Sequence, residues 1–571
     1  MNWTSNQFIW LDWAIIAIGV VGIGWAVWSA IRKQRRLAGE SSREYFLGGE
    51  PWWVMGAAIF AANIGSEHLV GLAGAGAETG MGMAHWEMHG WMIIIFGWVF
   101  VPFYKHSRVF TMPESLNRRY TRKTSSWLSI ITLVSYVLTK VSVTAFTGGI
   151  FLQSLLGLPF WYGAIGLVLL TGVFTVAGGM KGVMTLSKIQ TPILIIGSFL
   201  VLFLGLLALG GGSISTGWTS MIDHARSLNQ GYGTNHLMHF DKLDPLYEKF
   251  PGIWVFLGSA IIGFWYWCTD QHIVQRVLGG KNMNEMRKGT ILAGYLKLLP
   301  VFMFLIPGMI AIALQHKTGS GFDMGTIMKD GKEVLNTDAA FGSMVKFVLP
   351  AGVKGIVTIG FICALVASLA AFFNSCATLY TVDFYKPKHP DASEKKLVWI
   401  GRAATWVVVL LGLVWIPVMK GLGSLYAYLQ DVQSLLAPAI VAVFLLGIFS
   451  KKITPKAGET GIIVGFSIGI IRLICNIFKD NLNAMNITGL DWFWNTNWLI
   501  FEVYLLLFII AVMVVVSLFT KQASEEKLAG ITYFSQTPEQ KKETRNSWSK
   551  WDVLASAVVV AFCVAFYIYF W

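Results

Sequence analysis

Long apolar runs recur along the whole 571-residue chain and leave few folds open to it. About fourteen of them approach the roughly 20 residues that a helix needs to cross a bilayer. The chain is 55% hydrophobic and only 13% charged, a composition typical of polytopic membrane proteins and unlike that of a soluble enzyme. We therefore expect an all-α membrane protein with about fourteen transmembrane helices. The runs lie near residues 10–31, 52–78, 86–104, 126–156, 158–179, 188–210, 251–279, 290–315, 344–383, 397–419, 424–450, 456–478, 494–519 and 551–571.

The basic residues lie in short clusters between the apolar runs. The net charge is +13, and an external amino terminus would place most Lys and Arg in cytoplasmic loops, as the positive-inside rule requires. This distribution argues against nucleic acid as a partner, because the charge orients the chain in a lipid bilayer. The basic cluster 32–36 follows the first run, which is long enough to span. We predict a multi-pass protein of the plasma (cytoplasmic) membrane with both termini extracytoplasmic.

Two of the apolar runs are interrupted by polar residues near their middles. Run 52–78 contains Asn-Ile-Gly-Ser-Glu-His at 63–68, and run 251–279 contains Tyr-Trp-Cys-Thr-Asp-Gln at 266–271. Backbone can unwind inside a bilayer only where it lines a cavity or meets other protein. Broken helices of this kind mark transporter sites, and two runs that stand five apart cross in opposite senses, as an inverted repeat requires. We predict that both interruptions meet at one site near the midplane.

The inverted-repeat hypothesis also divides the chain. Two five-helix repeats are expected to be flanked and joined by connecting segments. The parts are residues 1–51 (first helix and a cytoplasmic basic loop), 52–210 (first repeat), 211–250 (extracellular loop), 251–450 (second repeat) and 451–571 (additional helices, with a cytoplasmic linker at 520–550).

Ionisable side chains fall inside several apolar runs. They are Glu87, Lys140, Asp270, Lys297 and Arg472. Each costs roughly 2.5 to 3.5 kcal/mol on insertion scales, so each marks a pathway or a paired contact. For Lys140 we expect a structural ion pair with an acidic residue, and for Arg472 a structural or lipid-facing anchor. Glu87 is either a site residue or an interfacial carboxylate in water, and Lys297 either a site residue or a snorkelling lysine.

The polar and aromatic residues near the interruptions suit a sugar. Asn63, Glu87 and Lys297 offer hydrogen bonds, while Tyr266 and Trp267 offer flat apolar faces. Sugar hydroxyls donate and accept, and the C–H face of a sugar packs on a ring. Ordinary packing remains an alternative role for the two aromatic residues.

A cation site is a further hypothesis. Small residues at 363–370 indicate either close helix packing or, together with carbonyls freed at the first interruption, oxygen ligands for a hard cation that include Ser368. Spacing alone leaves both interpretations open. Phosphate loops, nucleophile elbows and metal-ligand spacings are lacking in the sequence, so we expect neither an enzyme nor a cofactor.

Five motifs occur in the order that they have in a known family. They are Phe60–Ser66, Trp265–Gln271 followed by Val274–Arg276, Gly294–Leu298, Phe373–Ser375 with Asp383, and Ala442–Leu446. In these residues the chain resembles the sodium/glucose cotransporter branch of the solute:sodium symporter family, from about residue 40 to the last run. The resemblance implies fourteen transmembrane helices, a leucine-transporter-type five-plus-five inverted repeat, external termini and alternating access.

The resemblance assigns roles to individual residues. It implies sugar contacts at Asn63, His68, Glu87, Tyr266, Trp267, Lys297 and Gln430. It implies an outer hydrophobic gate at Leu72, Trp86 and Tyr426, and an inner gate at Tyr266. Gly263 stands where relatives often present a polar side chain to the sugar.

A sodium site is also implied, and here the chain departs from the family. Its ligands would be the carbonyls of Ala61, Ile64 and Ala364 and the hydroxyl of Ser368. One of two adjacent hydroxyls is replaced by Ala367, and acidic residues are replaced by Ser187 and Thr144. Lys140 thereby loses its expected local partner, so a farther acid or neutralisation must compensate. We expect a single sodium ion and none at Ser187.

Three functions remain open from the sequence. The leading hypothesis is sodium-coupled uptake of a hexose-like sugar by alternating access. The lost ligand and charges favour, as one alternative, a sodium-independent or proton-coupled sugar carrier on the same fold. The other alternative is a sugar-gated sensor or ion-conducting protein, since a broken-helix scaffold also suits conduction. The motifs carry no prediction of sugar identity or oligomeric state.

Overall fold

The computed structural model describes residues 7–38, 50–107, 109, 111–228, 242, 247–329, 332–419, 425–485 and 489–570. Within these ranges the chain is helical apart from its connections and one antiparallel hairpin, in which Thr326–Lys329 pairs with Lys332–Leu335. The predicted all-α architecture is confirmed.

Eleven described helices are long and apolar enough to cross a membrane, and one bent pair makes a twelfth. Helix Phe160–Leu209 is counted once among these spans. Its 50 residues would extend about 75 Å at 1.5 Å per residue, which is more than one bilayer crossing needs. Gly179 interrupts this helix with φ 50° and ψ −151°. The expected fourteen crossings remain a prediction, and the additional ones would fall here and in the composite segment Glu67–His106. The spans are Trp10–Ala38, Glu67–His106, Arg122–Leu156, Phe160–Leu209, Met283–His316, Val353–Lys388, Glu394–Met419, Leu425–Phe449, Pro455–Ile477, Trp498–Phe519, Lys550–Phe570 and the pair Ile253–Thr269 with Gln271–Leu278.

Shorter helices lie between these spans, and one of them, Trp52–Asn63, is the first half of a broken span. The expected run 344–383 is wrong at its start, because helix Ala340–Val348 ends before Gly352, whose φ of 82° separates it from the helix that begins at Val353. The short helices are Trp52–Asn63, Met112–Arg119, Ile214–Leu228, Thr337–Ala339, Ala340–Val348, Lys479–Ala484, Trp492–Asn495, Glu525–Leu528, Tyr533–Ser535 and Pro538–Asn546.

The first broken span joins helix Trp52–Asn63 to a π-helical turn, Glu67–Leu72, that continues to Thr79. Ile64 is extended (φ −85°, ψ 104°) and ends the first helix. Beyond it, the His68 amide donates to the Gly65 carbonyl at 3.1 Å instead of continuing the α-helical pattern. The Ser66 hydroxyl donates to the Thr144 carbonyl at 2.9 Å and thereby holds the break against a neighbouring helix. The predicted interruption is confirmed.

The second broken span comprises Ile253–Phe264, the π-helical turn Trp265–Thr269 and helix Gln271–Leu278. Asp270 lies between the last two with ψ 129°, and the span bends there by 42°. π-Helical turns and unwound residues are frequent at functional sites because they release backbone groups from the regular ladder. The two breaks are adjacent, as predicted, since the residues that flank them are joined by a hydrogen bond described below.

Two buried arginines hold helix ends by donating to backbone carbonyls. Arg119 donates to three carbonyls at the end of helix Leu425–Phe449 and just after it, those of Gly447 (2.7 Å), Ser450 (2.8 Å) and Ile453 (2.9 Å). Arg472 is only 1% exposed and donates to the carbonyls of Phe493 and Thr496. The expectation of a structural role for Arg472 is confirmed, and the lipid-facing alternative is wrong because neighbouring helices enclose the side chain.

Candidate functional site

A cavity of about 80 Å³ lies between the two broken spans. All seven side chains expected to contact sugar line it: Asn63, His68, Glu87, Tyr266, Trp267, Lys297 and Gln430. Trp86, expected in the outer gate, lines it as well. Leu72 is buried at 1% exposure but does not line this cavity in the described part of the chain. The side chain of Tyr426 lies outside the described residues.

Lys297 forms the polar centre of the cavity wall. Its ammonium lies 2.6 Å from Glu87 Oε2 and 3.1 Å from Asn63 Oδ1. It also lies 5.4 Å from the centroid of the Trp267 ring. Lys297 and Glu87 are each 3% exposed, so neither snorkelling nor an interfacial carboxylate describes them. The pair places two opposite charges at one point of the cavity, where each satisfies the other.

Asn63 joins the two broken spans directly. It is the last residue of its helix, and its side-chain amide donates to the Tyr266 hydroxyl at 3.1 Å while accepting from Lys297. The Tyr266 ring packs edge-on against Trp267, with centroids 5.0 Å apart. The geometry sets a flat aromatic wall beside an amide and an ion pair, a combination of apolar surface and a few placed polar groups that is typical of small-molecule sites.

Several polar atoms around the cavity have no hydrogen-bond partner among the described residues. They include Trp86 Nε1, His68 Nδ1, His89 Nε2 and Gln430 Oε1. Leaving a buried polar group unpaired costs about 1 to 3 kcal/mol. The set mixes a donor, an acceptor and two imidazole nitrogens, and a hydroxyl can satisfy any of them because it both donates and accepts. The cavity therefore suits a polyhydroxylated molecule.

Sequence reasoning did not find every residue that lines the cavity. The polar ones that it missed are Glu67, His89 and Gln433. A Cβ built on Gly263 would lie 2.7 to 3.0 Å from three atoms of the His89 ring, so the histidine fills space that a side chain at 263 would use. The available signal was the position of His89 two residues after Glu87. This position alone did not indicate a site residue, because the space that the His89 ring fills lies beside Gly263, which is distant in the sequence.

Lys140, which also lines the cavity, forms a second buried ion pair. Its ammonium lies 2.6 Å from Asp270 Oδ2, and the Tyr136 hydroxyl donates to the other carboxylate oxygen. The rings of Tyr266 and Trp265 lie 4.5 and 4.9 Å from the ammonium. The predicted structural ion pair is confirmed, and Asp270 is the farther acid that compensates for the lost local partner. It ties the break in the second broken span to helix Arg122–Leu156.

The residues expected to hold a cation lie where the first broken span meets helix Val353–Leu379. The Ile64 amide makes the last helical bond, to Phe60 at 3.0 Å, and the extended residue then turns the Ala61 and Ile64 carbonyls out of the ladder. Ser368 is fully buried, and its hydroxyl has no partner among the described residues. Backbone carbonyls and hydroxyls are oxygen ligands, which suit hard cations. The Ser187 hydroxyl instead donates to Val183 of its own helix at 2.8 Å.

Two broken spans that meet around an enclosed polar cavity define a secondary active transporter. The chain belongs to the sodium:solute symporter family, whose sequence profile matches residues 45–465. The predicted family is confirmed. Its relatives in this family are transporters.

The chain is similar to sodium-coupled transporters over most of its length. It is 33% identical to sodium/myo-inositol cotransporter 2 of Mus musculus over 536 residues, 90% of this chain and 77% of that protein. It is 34% identical to sodium/glucose cotransporter 1 of Ovis aries over 534 residues (90% and 79%). It is 32% identical to sodium/glucose cotransporter 4 of Danio rerio over 550 residues (93% and 82%). The predicted sodium/glucose cotransporter branch is confirmed, and the chain is a multi-pass plasma-membrane protein.

The fold matches that of a solved symporter. A sodium-coupled sialic acid symporter in a substrate-bound outward-open state superposes with a TM-score of 0.70 at 16% identity, and the match covers 91% of this chain and 100% of that one. The predicted fold class, an all-α membrane protein of the leucine-transporter type, is confirmed.

Proposed function

We propose that this protein takes up a hexose-like sugar together with one sodium ion by alternating access. The observation that carries the proposal is the convergence of all seven expected sugar contacts on one cavity bounded by both broken spans. The names of the relatives pair sodium with glucose or with myo-inositol, which are six-membered rings rich in hydroxyls. Membership of the sodium:solute symporter family supports sodium as the coupling ion.

In this proposal the cavity binds sugar through polar and aromatic contacts. Lys297, Asn63 and Gln430 exchange hydrogen bonds with the hydroxyls, and Glu87 accepts from them while it stays paired with Lys297. His68 and Trp267 complete the polar and apolar walls. Selectivity arises because a ligand without the matching hydroxyls would leave these buried groups unpaired.

Sodium acts by tying the first broken span to helix Val353–Leu379. Its ligands are the carbonyls of Ala61, Ile64 and Ala364 and the hydroxyl of Ser368. Bridging the break favours the outward-open state and orders Asn63 beside the sugar. Sugar binding then permits closure of the outer gate formed by Leu72, Trp86 and Tyr426, and release follows movement of Tyr266. Coupling results from the different affinities of the two states.

The proposal also includes an organisation of the chain into repeats and connecting segments. Residues 52–210 and 251–450 form the two repeats, the segments 1–51 and 211–250 precede and join them, and 451–571 adds helices with the linker 520–550. Both termini are extracytoplasmic. The positive-inside distribution of basic residues supports this orientation.

Uptake into proteoliposomes tests the proposal. Purified protein is reconstituted into liposomes, and the accumulation of labelled glucose, galactose and myo-inositol is measured. Three conditions are compared: an inward sodium gradient, equal sodium concentrations on both sides, and replacement of sodium by choline. We expect accumulation of at least one of these ligands above its external concentration only with the gradient. Protein-free liposomes and excess unlabelled sugar are the controls.

The alternatives give different results in the same vesicles. Equal uptake with and without the sodium gradient would remove symport, and the losses at Ala367, Ser187 and Thr144 make this the main rival. Accumulation driven by a pH gradient alone would assign the coupling to protons. Sugar-evoked current without accumulation would identify a sensor or channel, because a conducting protein does not concentrate sugar.

A further inference from the structure

A glutamate that the family resemblance did not assign lies beside the proposed cation site. Glu67 is the first residue of the π-helical turn after the break in the first broken span. A Cβ built on Gly65 would lie 2.6 Å from Ser368 Oγ and closer still to Glu67 Oε2. One carboxylate oxygen from the first broken span and one hydroxyl from helix Val353–Leu379 therefore converge on the Gly65 backbone.

Both of these oxygens are buried and unsatisfied. Ser368 is 0% exposed, and neither its hydroxyl nor Glu67 Oε2 has a hydrogen-bond partner in the described part of the chain. Each of these oxygens has lost water without gaining a hydrogen bond, which is unfavourable in a buried site. A cation that both oxygens coordinate satisfies them at once.

Glu67 forms no ion pair with the lysines near it among the described residues. The nearby cations are already engaged, Lys140 with Asp270 at 2.6 Å and Lys297 with Glu87 at 2.6 Å. Each of these pairs is neutral as a whole. Glu67 forms no ion pair among the described residues, and its buried Oε2 has no hydrogen-bond donor there. A cation beside this oxygen would satisfy it.

The neighbouring histidine does not occupy this role. His68 directs Nε2 toward Glu87 Oε1, 3.6 Å away, and its ring packs edge-on against Phe304 with centroids 6.3 Å apart. The imidazole is thus turned to the sugar side of the break. The Glu67 carboxylate points to the side of Gly65 and Ser368.

We infer that Glu67 is an anionic ligand of the sodium site, in the place of the hydroxyl that Ala367 lacks. The inference rests on the proposed sodium coupling and extends it. Glu67 also lines the sugar cavity, so a sodium ion held by this carboxylate neutralises a charge on the cavity wall. The charge lost at Ser187 and Thr144 is supplied from the first broken span instead.

Direct sodium binding tests the role of Glu67. Binding of ²²Na⁺ to the purified full-length protein is measured by scintillation proximity for the wild type, Glu67→Gln and Glu67→Asp. The amide keeps the shape but removes the charge, so we expect the half-saturating sodium concentration to rise by about tenfold or more. Glu67→Asp keeps the charge and should lie between the two. Glu78→Gln, an exposed glutamate of the same broken span, is the matched control and should bind as the wild type does.

A second substitution keeps the test decisive. Ala367→Ser restores the missing hydroxyl, and in the Glu67→Gln background it should recover part of the lost sodium affinity. Such rescue would not follow if Glu67→Gln merely misfolded. Size-exclusion profiles of all variants are compared with that of the wild type.

The outcomes separate this inference from the proposed function. Equal ²²Na⁺ affinity in the wild type and a monodisperse Glu67→Gln protein, with sodium-driven uptake intact, overturns the role of Glu67 alone. If sugar uptake by the wild type is the same with and without the sodium gradient, the proposed function is overturned. Absence of ²²Na⁺ binding to the wild type overturns both.

Discussion

Buried side chains at the cavity present polar atoms to it, and some of them also pair with a neighbour. Lys297 shows this most clearly, since it bonds both Glu87 and Asn63 at 3% exposure. The side-chain carbonyl oxygen of Gln430, a residue that is 8% exposed, has no hydrogen-bond partner in the part of the chain that the structure describes. Truncating either residue removes a group for the ligand, and truncating Lys297 also strands a carboxylate.

Lys297→Ala and Gln430→Ala should each weaken sugar binding by roughly 1 to 3 kcal/mol, through loss of buried polar partners. Equilibrium binding of labelled sugar to the purified variants measures the change. Gln153→Ala, at an exposed glutamine, serves as the control. Unchanged sugar affinity in both cavity variants would show that the binding site is misplaced.

The ion pair between Lys140 and Asp270 is expected to affect the stability of the fold. Removing one partner leaves the other charged and buried, which costs about 3 to 5 kcal/mol in comparable pairs. We expect Lys140→Met and Asp270→Asn each to lower the apparent melting temperature in detergent. The double variant should lose less than the two single losses together, because no lone charge remains. Strict additivity of the melting shifts would contradict the direct pairing.

At the scale of elements, close helix packing positions the first broken span. A Cβ on Gly308 would overlap the Ala73 carbonyl, and a Cβ on Gly76 would overlap the Leu305 carbonyl. Helix Ile306–His316 therefore contacts the continuation of the first broken span backbone to backbone, as small residues allow in membranes. This contact fixes the half of the broken span beyond the cavity.

Gly308→Ala should destabilise the protein by about 1 to 3 kcal/mol, because the added methyl must displace backbone. Thermal unfolding followed by size-exclusion fluorescence reports the effect. Gly166→Ala is the matched control, since a Cβ on Gly166 meets nothing within 4 Å. Equal melting temperatures for both variants would mean that the two helices lie farther apart than the structure places them.

The sequence predicted the elements that depend on composition and local chemistry. Apolar length predicted the membrane helices, and the polar residues at 63–68 and 266–271 predicted both breaks, because unwound backbone needs polar surroundings. The sequence did not predict which residues, distant along the chain, pair with each other. Asp270 was recognised as an ionisable residue inside a span, but its bond to Lys140 depends on a bend that only the fold supplies. His89 and Glu67 were missed as site residues for the same reason.

At the scale of the whole molecule, two broken spans and one crossing helix bring the cavity close to the residues that we propose as cation ligands. Asn63 and Glu67 line the cavity, and Glu67 Oε2 and Ser368 Oγ both lie beside Gly65. A ligand at either site therefore changes the order of the same few residues. This arrangement gives the physical basis for coupling, which requires that each ligand favour the state that the other prefers.

Reciprocal binding tests this coupling most directly. The dissociation constant of labelled sugar is measured with and without saturating sodium, and that of ²²Na⁺ with and without saturating sugar, on the same purified protein. Thermodynamic linkage requires both constants to fall by one common factor, about 5 to 150 for typical coupling energies. The account predicts that equality. Sugar affinity that stays the same when sodium is replaced by choline would contradict it.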